Sequence, residues 1–161
     1  MKRFLFLILI VSFNISASDE GIQQWVYNTL ERAQANLDKG NIEAAEKIYY
    51  DYANDTWSSR SYDHFVFLRT YAYFLLSFDR NEEALRYLKQ ASLKRDMPPY
   101  DIFELHFTLG QVYYVTGDRD NAKKTLLKWV EIGEKNKLDL KPEGYAILCL
   151  LYTSPSPRDD L

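Results

Sequence analysis

The sequence predicts an all-α chain built from antiparallel helix pairs stacked as a solenoid, and three observations predict it. Small residues recur in pairs twelve apart: Ala33 and Ala45, Ala72 and Ala84, Gly110 and Ala122. The first members are spaced by 39 and then 38 residues, and the second members follow the same steps. A fixed period of this size marks a repeat architecture, in which each unit buries its apolar face only against its neighbours. Large apolar residues follow the second small residue by four, at Tyr49, Leu88 and Leu126. Finally, no segment shows strand alternation, and Gly and Pro number only 6 and 5, few for a chain of tight hairpins.

The third copy, Phe107 to Trp129, has the clearest pattern. Leu109, Val112 and Tyr113 share one face at helical spacing, and Ala122, Leu126 and Trp129 repeat the arrangement on a second helix. Between them Thr116-Gly117-Asp118 breaks the pattern, with Gly117 suited to the left-handed conformation that ends a helix. Gly110 and Ala122 fall where the two helices cross, so a side chain larger than a methyl would hold the backbones apart.

The other copies follow in order. In the first, Trp25, Leu30, Ala33 and Leu37 form the expected apolar stripe, Gly40 turns the chain, and Asn41 is the expected cap of a helix facing inward through Ala44, Ala45, Ile48 and Tyr49. A polar loop, Asn54 to Ser59, leads to the second copy. That copy runs through Phe65, Leu68, Tyr71, Ala72 and Leu75 to a turn at Asp79-Arg80-Asn81. Glu82 and Glu83 then complement the dipole of the following helix. Pro98-Pro99 is expected to close this copy, and Asp101 to cap the next helix. A fourth copy opens at Pro142, with Tyr145 and Leu148 in its leading positions.

The third copy resembles the tetratricopeptide repeat. The family pattern of Leu-Gly, Tyr, turn Gly, Ala and a bulky residue falls on Leu109-Gly110, Tyr113, Gly117, Ala122 and Leu126, with His106 in place of its leading Trp and its closing Pro missing. The family unit is about 34 residues, so the surplus is expected in longer second helices or in the loops at 55–62 and 96–101. The resemblance implies a right-handed superhelical solenoid of about three repeats plus a truncated fourth, spanning residues 19–148. Its inner face would be lined by the first helix of each pair. On the family register the groove positions are Tyr27, Leu30, Gln34 and Leu37; then Val66, Arg69, Tyr73 and Leu76; then Glu104, Phe107, Gln111 and Tyr114. Of these, Tyr27, Gln34, Arg69, Tyr73, Phe107, Gln111 and Tyr114 are the candidate partner-binding residues, since Tyr, Arg and aromatic side chains dominate interface energetics. The carboxylate grip of the family's chaperone-binding members finds only Arg69 here, and Tyr73 stands where an amide would be needed.

The ends of the chain carry different signals. Residues 1–18, MKRFLFLILIVSFNISAS, have the positive start, apolar run and small-residue close of a secretory signal peptide. The run is shorter than the ~20 residues of a bilayer span. Cys149 to Asp159, CLLYTSPSPRD, resembles one reading frame of a transposase adapter used in sequencing libraries. That resemblance implies a non-native tail at 149–161 and a natural sequence that continues past about Leu148. The only cysteine falls in it, which leaves an exported segment without disulfides or thiol chemistry.

The net charge is −3. Without Lys2, Arg3, Arg158, Asp159 and Asp160, 17 basic and 21 acidic residues remain, a net of −4. A mildly acidic chain has no general attraction for nucleic acid or anionic membrane. His64 and His106 lie in different repeats, no ligand cluster recurs at metal spacing, and phosphate cradles and nucleophile motifs are absent. No cofactor, no metal and no catalysis are expected. The sequence therefore predicts a periplasmic scaffold that binds a protein or peptide in its groove. The signal, the long repeat, Leu126-Leu127-Lys128-Trp129 and Lys141-Pro142-Glu143 also resemble periplasmic repeat proteins accompanying TonB-type energy-transduction systems. Two alternatives are open: the helical part of a larger cell-wall enzyme, and self-association through the incomplete fourth repeat.

Overall fold

A computed structural model describes residues 21–55 and 61–153. The expected signal peptide, most of the polar loop after Asp55 and the tail beyond Thr153 lie outside the described residues. Among the described residues the chain is all-α, with seven helices and no strand. They are α1 (Gln24–Asp38), α2 (Ile42–Ala53), α3 (Ser61–Ser77), α4 (Asn81–Ser92), α5 (Pro99–Val115), α6 (Arg119–Asn136) and α7 (Pro142–Thr153). Consecutive helices pack on one another from α1 to α7, and α5 also packs on α7.

The turns inside the three pairs have the same wiring. Gly40, Asp79 and Gly117 all take left-handed backbone, at φ 76°, 59° and 83°. In each turn the amide after that residue reaches back five residues: Asn41 to the Asn36 carbonyl at 2.8 Å, Arg80 to Leu75 at 3.0 Å, and Asp118 to Tyr113 at 2.9 Å. This bond satisfies a carbonyl that the helix end would otherwise leave open. The α6 terminus repeats it with Lys137 at φ 54° and the Leu138 amide on Gly133 at 2.9 Å.

The small residues of the repeat are out of solvent. Ala33, Ala45, Ala72, Ala84 and Ala122 are fully buried. A Cβ at Gly110 would stand 2.6 Å from Leu126 Cγ, so even a methyl there requires that side chain to move. Phe107 meets Trp129 and Phe103 lies over Gly133, so numbers fall along α5 as they rise along α6 and the two run antiparallel. First helices run side by side in the same direction. The Gln23 amide reaches Asp63 and Trp25 stacks on Phe67 between α1 and α3, while Tyr62 reaches Asp101 and Tyr73 meets Thr108 between α3 and α5.

Several local expectations are corrected. The buried face of α1 is Val26, Thr29 and Ala33, with Trp25, Leu30 and Leu37 half-buried beside it. Thr29 can be buried because its hydroxyl donates to the Trp25 carbonyl at 2.8 Å. Ala44 is exposed. Asn41 stands at the α2 N-cap but its side chain makes no capping bond, whereas Asp118 caps α6 by accepting from the Asn121 amide. Pro99 opens α5 and does not close the second copy, because the first helical position needs no N–H. Asp101 lies in the first turn of α5, not at its cap. The surplus length lies in the linkers after the 12-residue helices α2 and α4, and then in α6 itself, which has 18 residues.

At the far end, Gly144 lets α7 rest on Trp129: a Cβ there would be 2.4 Å from the indole Cζ3. Leu148 and Leu151 are buried, and Tyr145 is partly exposed at the edge of the same ring.

Candidate functional site

The groove positions inferred from the family register fall on the first helices, and they divide into two groups. On α1, Tyr27 and Gln34 are exposed, and their hydrogen bonds stay within the helix. The Tyr27 hydroxyl donates to Glu31 at 3.1 Å and the Gln34 amide to Asp38 at 2.8 Å. The bond to Glu31, with that carboxylate's charge, raises the Tyr27 phenol above its usual range. Leu30 and Leu37 are half-buried.

On α3 and α5 the positions converge. Arg69 spans the seam between the helices: its guanidinium donates to Asp101 and lies 5.3 Å from the centre of the Phe65 ring. Tyr62 donates to the other oxygen of Asp101 at 2.9 Å. Burial and the Asp101 charge push the Tyr62 phenol up to about 12. The Tyr73 hydroxyl stands 3.4 Å from Thr108 Oγ1, and burial raises this phenol as well, with Arg69, Glu104 and Lys141 near enough to act on it. Lys141, just before α7, donates to Glu104 at 2.7 Å and holds its ammonium 4.6 Å from the centre of the Phe107 ring. Phe107 itself is buried, its other contact being Trp129 at 5.2 Å between ring centres. Val66 is buried too, and Leu76, Gln111 and Tyr114 are half-buried.

The site therefore contains side chains that the register did not single out. Asp101 and Tyr62 hold Arg69, and Lys141 holds Glu104. Asp63 and Asp101 are both buried first-turn carboxylates, and they stand one 38-residue period apart. That recurrence was the available signal.

Chemically, the cluster is a set of satisfied pairs. The Arg69–Asp101 pair is almost wholly out of water, the situation in which each charge depends on its partner. Among the described residues no three His, Cys, Asp or Glu side chains are placed to hold a metal ion. The two histidines are apart in the structure: His106 uses Nδ1 on the Ile102 carbonyl at 2.8 Å, and burial lowers its basicity. His64 bonds Ala53 and Lys94. Among the described residues no helix is long and apolar enough to cross a membrane.

A second polar tie joins the outer helices. Arg80 at the turn before α4 donates to Glu46 on α2 at 2.6 Å and to Glu83 at 2.7 Å, while the Tyr71 hydroxyl also donates to Glu46. The face made by α1, α3 and α5 carries half-buried and exposed aromatic, amide and charged side chains. No protein-family model and no curated protein matches the chain.

Proposed function

We propose that the chain is a tetratricopeptide-like solenoid that acts as a non-catalytic adaptor, holding a protein or peptide partner along the face of its first helices. One observation carries the reading: crossing, turn and first-helix alignment recur in all three copies. Ala33, Ala72 and Gly110, the small residues at matching repeat positions, are each buried. The three left-handed turns share one hydrogen-bond pattern. Stacking of equivalent helices in one direction yields a continuous face, the arrangement from which repeat proteins make their binding surfaces.

The layout of residues 1–18 supports export to the periplasm. Within that compartment the reading favours an envelope protein of a TonB-type energy-transduction system as the partner class. Its support is the Leu126-to-Trp129 and Lys141-to-Glu143 motifs together with the export signal and the long period.

Photo-crosslinking in the host envelope tests the face directly. A benzophenone amino acid at Gln34 or Gln111, on the first helices, is expected to give one discrete adduct with a second protein. The same probe at Lys47 or Lys124, on the second helices, is expected to give none. Equal adducts from both faces, or none from either, would overturn the adaptor reading.

A further inference from the structure

The linker at residues 93–98, between α4 and α5, is held to the preceding helix pair by a bond that only an uncharged histidine can accept. Lys94 Nζ stands 2.8 Å from His64 Nδ1, and His64 Nε2 stands 3.0 Å from the carbonyl of Ala53, the last residue of α2. A lysine ammonium is a donor only, so Nδ1 must present its lone pair. A backbone carbonyl is an acceptor only, so Nε2 must carry the ring proton. The two contacts together require the neutral Nε2–H form.

We infer that His64 is a proton-operated latch: a second ring proton removes the acceptor for Lys94 and releases the α4–α5 linker. The new proton lands on Nδ1, facing an ammonium at hydrogen-bond distance, so attraction becomes repulsion between like charges. Histidine is the side chain that changes charge between about pH 5 and 8.

Little else secures the linker. Lys94 to His64 is the one side-chain hydrogen bond that residues 93–98 make beyond themselves among the described residues. Asp96 stands there in left-handed backbone at φ 60°, and Leu93 is 78% exposed. Met97 alone adds an apolar contact with the core. The charged group bonded to the ring is Lys94 on the linker, and near the end of α2 the Tyr87 hydroxyl of α4 pairs with Asn54. On its own helix, the Asp63 carboxylate accepts from the Gln23 amide. The latch pins the linker back onto α3, and that linker leads into α5, the helix whose first turn carries Asp101. It does not depend on the adaptor reading.

Two measurements on the full chain test this. Nitrogen-15 chemical shifts of the His64 ring at pH 7.5 are expected to show a bare Nδ1 and a protonated Nε2; the opposite tautomer would overturn the latch. Amide-exchange protection at Leu93 and Lys94 is expected to fall roughly tenfold between pH 7.5 and 5.5, the scale of losing a hydrogen bond to a charged group. His64→Gln, whose amide can accept from Lys94 and donate to Ala53 without titrating, is expected to keep protection at both pH values. Lys94→Met is expected to be unprotected at both. An unchanged wild-type protection, or an acid response that survives in His64→Gln, would refute the latch.

Discussion

The α5–α6 crossing and the α3–α5 seam join helices by opposite means. At the crossing, Gly110 receives Leu126 and the Trp129 ring packs on Phe103 and Phe107, an apolar fit with no ion pair. At the seam, Arg69, Asp101 and Tyr62 are linked by directional hydrogen bonds, with Tyr73 against Thr108. Shape at the crossing sets how closely two helices of one pair approach. Bonds at the seam set how one pair is aligned with the next, which is the geometry that fixes the shared face. The difference teaches that, between the second and third pairs, apolar area makes the units and a buried charge pair helps to order them.

The largest test of that division is Asp101→Ala. It leaves the Arg69 guanidinium in the seam without its carboxylate, and a stranded buried charge costs about 3–5 kcal/mol. Urea unfolding of the variant is expected to show a loss in that range; a loss under about 1 kcal/mol would mean that the seam does not depend on the pair. Gly110→Leu addresses the crossing. Leu126 already lies where the new side chain would go, so overpacking is expected to cost ~1–3 kcal/mol, and an unchanged melting curve would break the steric account.

Alkaline pH sharpens the comparison, because a phenol bonded to a carboxylate holds the seam, whereas the Leu126 and Trp129 contacts described at the crossing hold no titrating group. Tyr62 loses its proton near 10 when unfolded and at about 12 in place. Its raised value means that its contribution is complete below pH 10 and disappears as pH climbs through 12. Unfolding measured between those values is expected to weaken less steeply for Tyr62→Phe than for the wild type. An identical slope would show that this phenol ionises equally easily in both states. The smallest effect belongs to the turn of the middle pair. Asp79→Gly relieves a left-handed non-glycine residue and is expected to raise stability by up to about 1 kcal/mol. A loss in thermal denaturation would show that the Asp79 side chain does more there than tolerate the turn.

The crossings and turns were legible in the sequence because they rest on what one residue can do. Ala or Gly permits close approach, and Gly40, Asp79 and Gly117 share one slot and adopt one conformation. The seam was not legible. A carboxylate early in a helix reads as a cap or as a dipole partner, and in the sequence Asp101 reads as a cap. Its actual partners, Arg69 and Tyr62, lie 32 and 39 residues earlier. Only the third dimension brings them to one place, although the 38-residue step from Asp63 to Asp101 marks the position as part of the repeat. On α1 the misjudged face has a similar origin. Trp25 and Leu30 look like core by hydropathy, yet Thr29 takes the inner place because its own helix satisfies its hydroxyl. Groove position is likewise only half a property of register: Phe107 occupies such a slot and is claimed by Trp129.

Trp129 has a practical consequence. Its indole is completely buried, its N–H meets no hydrogen-bond acceptor among the described residues, and the backbone of Gly144 lies against the ring. An indole in so dry a setting emits at short wavelength, and any separation of α7 from the rest admits solvent and reddens the light. With Trp25 and Trp57 replaced by Phe, the molecule would therefore carry its own optical gauge of whether its last helix is seated.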